Sequence, residues 1–188
     1  MKKIVLPGIL AGLAVFVWSF ISHMVLPLGE IGVKAVGANE DVVLSAMKGT
    51  LTEPGFYMLP GVEMKTATPE QLAAQQAKWK TGPTAVVIYN PTGWDAISPG
   101  QLLRQLAFQI VCGLIAAFAV SLTVASLLSR ALLVTLMGAF AWLTVNVPHW
   151  NWYGFPANFT LAQGADHLIA WLIGGLVIAW MIGRTEKK

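Results

Sequence analysis

The chain has 188 residues, 56% of them hydrophobic and only 11% charged. Soluble domains carry about 25% charged residues, so this composition points to the membrane class and away from a water-soluble globular enzyme. The net charge of +3 sits at the ends of apolar runs rather than in one basic patch, which fits membrane topology and argues against a nucleic-acid partner. With Cys112 as the single cysteine, no internal disulfide can form, and the absence of CxxC and CxxCH removes zinc-finger and c-type haem attachment.

In chain order, residues 4–27 follow Met1-Lys2-Lys3 and resemble a signal peptide. The apolar stretch exceeds the 7–15 residues of a typical signal core, and no small-x-small cleavage site occurs around Phe20–Met24. An uncleaved signal anchor is therefore expected. Next, Asn39-Glu40-Asp41-Val42 opens a short helix to Lys48, with Asn39 as N-cap and acids in the first turn. Thr68-Pro69-Glu70-Gln71 is a capping box with proline at the first helical position and predicts a helix to Lys80. Residues 84–89 are β-branched and lie between Gly82-Pro83 and Asn90-Pro91, a strand pattern for which 56–59 offers a partner.

Ser98-Pro99-Gly100-Gln101 repeats the capping signature and starts a second apolar helix at Pro99, with Arg104 and Gln105 on a wet first turn before the run 105–128. Ser129-Arg130 alone joins it to the run 131–147, which Pro148 ends, so these two form an antiparallel hairpin. A fourth run, 164–183, takes Thr160 as its cap and ends at Arg184. Each run approaches the roughly 20 residues needed to cross a bilayer.

The expected fold is thus an all-α membrane protein: a four-transmembrane-helix bundle with a small α+β extracytoplasmic cap between the first two helices. Its parts are helix 1 (1–27), the cap (28–98) and the other three helices (99–188), with an aromatic outer loop at 148–163. Lys2, Lys3, Arg130, Arg184, Lys187 and Lys188 fall in short segments on one side, which assigns both termini to the cytoplasm of a bacterial-type inner membrane. Trp18, Trp94, Trp150, Trp152 and Tyr153 then populate the outer aromatic belt and Trp180 the inner one.

Small residues form ladders: Gly8 and Gly12; Gly113, Ala117, Ser121 and Ala125; Gly175, Ala179 and Gly183. Such faces let helix backbones approach closely. They serve either packing within the chain's own bundle or docking of a partner subunit.

The three histidines share one depth. His23 lies 20 residues from Lys3, His149 lies 19 from Arg130 and His167 lies 17 from Arg184. At about 1.5 Å per residue each sits roughly 26–30 Å from the basic side, at the outer edge of the hydrocarbon. Asp166 is the one acid within the spans, and a nearby helix N-terminus would stabilise its charge. His23, His149 and His167 could ligate a metal; two facing imidazoles could hold a haem or chlorin; His and Asp could serve a quinone walled by Trp150, Trp152 or Tyr153.

No nucleophile elbow, phosphate loop or dinucleotide fingerprint occurs, and no charged or broken helix marks a transport path. The functional expectation is a non-enzymatic accessory or scaffold subunit of a larger membrane complex, its partners being lipid and other membrane subunits or further copies of itself. The alternative is a redox membrane protein that binds a metal, haem, pigment or quinone through the outer histidines.

Overall fold

The structure, a computed structural model, describes residues 2–95 and 97–186; the terminal lysines used above to orient the chain (Lys2, Lys3, Lys187 and Lys188) lie outside the described side chains. The chain is mostly helical with one small sheet. Its elements are α1 (Lys2–Phe20), α2 (Glu40–Thr50), β1 (Gly55–Leu59), α3 (Pro69–Thr81), β2 (Ala85–Tyr89), α4 (Pro99–Ser121), α5 (Leu127–Tyr153) and α6 (Ala157–Glu186). A widened π turn, Ile21–Val25, prolongs α1. Two compact units result: Met1–Lys34 with Ile97–Lys188, and Ala35–Ala96.

The first unit holds the four helices long and apolar enough to cross a membrane: Ile4–Val25, Pro99–Ser121, Leu127–Tyr153 and Ala157–Thr185. They pack in the order α4–α1–α6–α5, and the chain neighbours α4 and α5 barely touch. The reason is where glycine stands. A Cβ on Gly12 would lie 2.5 Å from the Ile110 Cα, and one on Gly113 would lie 2.9 Å from the Gly12 nitrogen, so α1 and α4 cross backbone to backbone. Small residues at such a crossing let the backbones approach closely, which gains van der Waals contact.

Between α5 and α6 the fit is reciprocal. Trp171 lies on Gly138, whose added Cβ would be 2.7 Å from the indole Cδ1, and Trp142 lies on Gly164 at the same spacing from its Cε2. The Trp142 Nε1–H also donates to the Thr160 carbonyl at 2.8 Å. A Cβ added to Gly175 would lie 2.8 Å from the Ala131 carbonyl oxygen. Ala11, Ala117, Val120, Val134 and Ile178 form the core at the centre of this unit. The ladders at Gly8, Gly12, Gly113, Ala117, Gly175 and Ala179 therefore serve internal packing; Ser121 is exposed, Ala125 lies outside a helix and Gly183 faces open space.

Several helix boundaries differ from the sequence expectation. The connection after α4 is five residues, 122–126, not Ser129-Arg130. The Ser126 hydroxyl caps α5 by accepting from the Ser129 N–H at 3.2 Å, which leaves Arg130 inside the first turn and buried. Pro148 does not end α5, which continues to Tyr153. A proline lacks only its own N–H, and neighbouring helices let a spanning helix tolerate that loss. Gly154, left-handed at φ 72°, stops α5. Helix α6 then begins at Ala157, so the outer loop 148–163 reduces to Gly154-Phe155-Pro156. Thr160 consequently does not cap: it lies in the helix, and its hydroxyl bonds back to the Pro156 carbonyl at 3.3 Å. At Ser98 the expected box is present, since its hydroxyl accepts from the Gln101 N–H at 3.3 Å while the Gln101 side chain accepts from the Ser98 N–H at 3.0 Å.

The second unit pairs β1 with β2 in antiparallel register, Phe56 opposite Ile88 and Tyr57 opposite Val87. Helix α3 carries the complete Thr68–Gln71 capping box with Pro69 at its start. Gln75 Nε2 and Trp79 Nε1 both donate to the Pro60 carbonyl, at 3.2 and 2.8 Å, which ties α3 to the end of β1. Asn39 does not cap α2; a 3-10 turn, Gly37–Asn39, leads directly into that helix and leaves no extended N-cap backbone.

Glu70 in the first turn of α3 has its carboxyl held below the usual range, first by its own backbone N–H and then by the Thr68 hydroxyl. A depressed folded-state pKa stabilises above the unfolded value, and that contribution fades as pH falls through the folded one. Acid titration is thus expected to fray the first turn of α3, with the acid-dependent part absent in Glu70→Gln; backbone chemical shifts of residues 69–72 read the effect.

Candidate functional site

Asp166 and His167 sit in the third turn of α6, because that helix starts at Ala157. The helix N-terminus is therefore too far away to hold the Asp166 charge, since that influence falls off within the first turn. Another donor takes its place. Trp18 Nε1–H of α1 donates to Asp166 Oδ1 at 2.7 Å, and Asp166 is 8% exposed. Trp18, expected in the outer belt, is thus a hydrogen-bonding clamp between α1 and α6.

The neighbouring side chain points elsewhere. His167 Nδ1 lies 2.9 Å from the Gln163 carbonyl. A carbonyl can only accept, so Nδ1 carries the proton and donates. His149, in the last turns of α5, stacks on Phe155 (centroids 5.2 Å apart, planes at 24°) and meets Tyr153 at 5.8 Å. Trp150, Trp152 and Tyr153 belong to those same turns rather than to a loop, and all three are exposed. His23 is exposed on the π turn, its Nδ1 2.8 Å from Ser22 Oγ and 3.1 Å from the Ser19 carbonyl, with its ring beside Gly29. Each histidine therefore has its own local setting. Among the described residues no three His, Cys, Asp or Glu side chains gather to hold a metal ion.

What the fold does bring together is different. Where α4 stands off from the α5–α6 pair, a groove of about 370 Å³ remains, with Gln105, Phe108 and Gln109 on α4, Met137 on α5 and His167 and Trp171 on α6. Of the residues expected to bind a ligand, only His167 lines it. In sequence, Gln109 is one polar residue in an apolar run. Its spacing of four from Gln105 was the available signal, since residues at i and i+4 share a helix face.

The chain matches no family model, and no curated protein or solved structure resembles it. Function is read from the geometry alone.

A second feature lies in the unit Ala35–Ala96. None of its described residues is buried. Val42, Met64, Ile88 and Trp94 are 69%, 71%, 81% and 73% exposed. A lone two-stranded hairpin is marginal in water and gains independent stability from a third strand or a packed surface. These apolar side chains gain nothing from burial within the described residues of the unit.

Proposed function

We propose that this chain is a multi-pass protein of a bacterial-type inner membrane, with both termini cytoplasmic. In that membrane it acts without catalysis, as an accessory or scaffold subunit of a larger complex. The observation that supports this reading is the absence of any buried residue among the described residues of the unit Ala35–Ala96; in the proposal, the extramembrane part of another membrane subunit covers its apolar side chains. The small-residue ladders no longer support a partner, because they pack inside the chain. Orientation rests on the basic residues beside the spans, Arg184 among them, whose guanidinium lies 4.5 Å from the Trp180 ring centre at the proposed inner edge.

The test is extraction of the native membrane directly into polymer-bounded nanodiscs, followed by mass measurement. A second polypeptide at fixed stoichiometry is expected, and the double variant Val42→Lys, Ile88→Lys is expected to release it while the helical signal of the four long helices persists. A monomer in the native membrane, or a particle built only from copies of this chain, overturns the accessory reading.

A further inference from the structure

The groove between α4 and the α5–α6 pair has features that packing alone does not explain. Gln109 is the eleventh of the 23 residues of α4, near the middle of a helix that spans a bilayer under the reading above. Polar side chains at that depth are costly unless they face a partner, water or a ligand. Neither Gln105 nor Gln109 makes a side-chain hydrogen bond to another described residue, and His167 makes only the one through Nδ1. Gln109 and His167 thus line one groove with hydrogen-bonding capacity to spare, and the exposed Gln105 stands beside them.

The chemistry of the lining narrows the occupant. Among the described residues no Lys, Arg, Asp or Glu lines the groove, so a phosphate or carboxylate headgroup would be desolvated without a counter-charge, at a cost that excludes it. Phe108 and Trp171 offer flat apolar surfaces suited to a ring. Its volume of about 370 Å³ lies within the roughly 300–1,000 Å³ of ordinary ligand pockets. Phe108 and Ile115 on the rim are 65% and 55% exposed. The groove therefore opens sideways, towards the hydrocarbon from which a lipid-soluble molecule with an alkyl tail would enter.

Hydrogen-bond direction narrows it further. Because Nδ1 of His167 donates to Gln163, the neutral ring has its lone pair on Nε2, and that atom can only accept. A ligand that meets the Nε2 of an uncharged imidazole then presents a hydroxyl to it. Each glutamine amide can donate to a second ligand oxygen or accept from it.

From these observations we propose that the groove binds a quinol, an uncharged ring with two hydroxyls and a hydrocarbon tail, and prefers this reduced form over the corresponding quinone. A quinone offers acceptors alone, so its oxygen would meet the Nε2 lone pair without a proton between them. This inference rests on the membrane-spanning reading and is independent of the docking of a partner subunit.

The experiment uses the full chain in lipid nanodiscs, after retention in carbonate-washed membranes has confirmed insertion; loss from those membranes would overturn the spanning reading together with the inference. The probes are a decyl-substituted benzoquinol and its quinone, with bound ligand counted after rapid gel filtration. Binding of about one quinol per chain is expected, several-fold tighter than the quinone. His167→Phe, which keeps an aromatic ring, is expected to weaken quinol binding about tenfold and erase the preference, the size of one lost hydrogen bond. Gln109→Leu weakens both probes, and Leu143→Ala on the exposed face of α5 leaves both unchanged. His167→Gln, whose amide still accepts, restores part of the quinol affinity and separates ligand contact from a folding defect. Binding no greater than in protein-free nanodiscs, equal affinity for quinol in His167→Phe, or displacement by phosphatidylglycerol at equal mole fraction each overturns the proposal.

Discussion

Valine at position 113 is expected to separate α1 from α4 and to unfold the helical unit at a much lower denaturant fraction than the parent. The Cβ alone would fall 2.9 Å from the Gly12 backbone nitrogen and closer still to the Gly8 carbonyl oxygen. Both are backbone atoms, which cannot rotate aside as a side-chain tip does. The helices must therefore move apart, and the contacts of Ala11 and Ala117, both fully buried, loosen with them. Overpacking a closed core costs about 1–3 kcal/mol, and a backbone clash on this face belongs at or above the upper end of that range. Gly113→Ala should show a smaller loss of the same sign. Gly183→Ala, in open space on α6, should be near neutral. Sodium dodecyl sulfate titration in mixed micelles, followed by circular dichroism, reads all three. An unchanged midpoint for the valine variant would show that α1 and α4 do not cross at these glycines.

The second large effect is expected at the Trp18–Asp166 pair. Removing either partner leaves a buried polar group unmet: Trp18→Phe strips the carboxyl of its indole donor, and Asp166→Leu strands the Trp18 N–H. An intramolecular hydrogen bond contributes about 0.5–1.5 kcal/mol net, and an orphaned buried partner costs about 1–3 kcal/mol. Each single variant should therefore lose about 1–2 kcal/mol. Combined, Trp18→Phe and Asp166→Leu should cost less than the sum of the two, because neither group is then left alone. A double-mutant cycle on the unfolding midpoint measures that coupling. Strict additivity would mean that the 2.7 Å contact holds no energy.

The local signals that proved legible were those written in a few adjacent residues. Both capping boxes, Thr68 with Gln71 and Ser98 with Gln101, form as expected, because a hydroxyl and an amide three residues apart satisfy each other's backbone within one turn. The pairing of β1 with β2 was readable from β-branched residues between turn formers. Boundaries were harder. Pro148 reads as a stop in water, yet α5 passes through it, and Thr160 reads as a cap although α6 begins a turn earlier. Both errors have one source. In a long apolar helix, packing against neighbours decides where the backbone continues, and local propensity is overruled.

The candidate site shows the same division. Asp166 and His167 stood out because charge and imidazole are rare in an apolar run, but their partners did not. Trp18 lies 148 residues before Asp166, and no spacing rule connects them. The similar spacing of the three histidines from basic residues does not bring them together. Around the helix axis His167 turns towards α4, whereas His149 stacks on Phe155 and His23 bonds within its own turn.

By itself, then, the sequence determined the class of molecule: four long apolar helices, their order, and the capped helix and hairpin between the first two. These depend on composition and on interactions a few residues long. Only the tertiary structure decided which helices touch. Glycine ladders let α1 close on α4, and glycine–tryptophan seats let α6 close on α5, so the chain neighbours α4 and α5 stay apart. That gap sets Gln105, Gln109 and His167 around one groove, and it exists because backbone proximity is won where side chains are smallest, not where the chain is continuous.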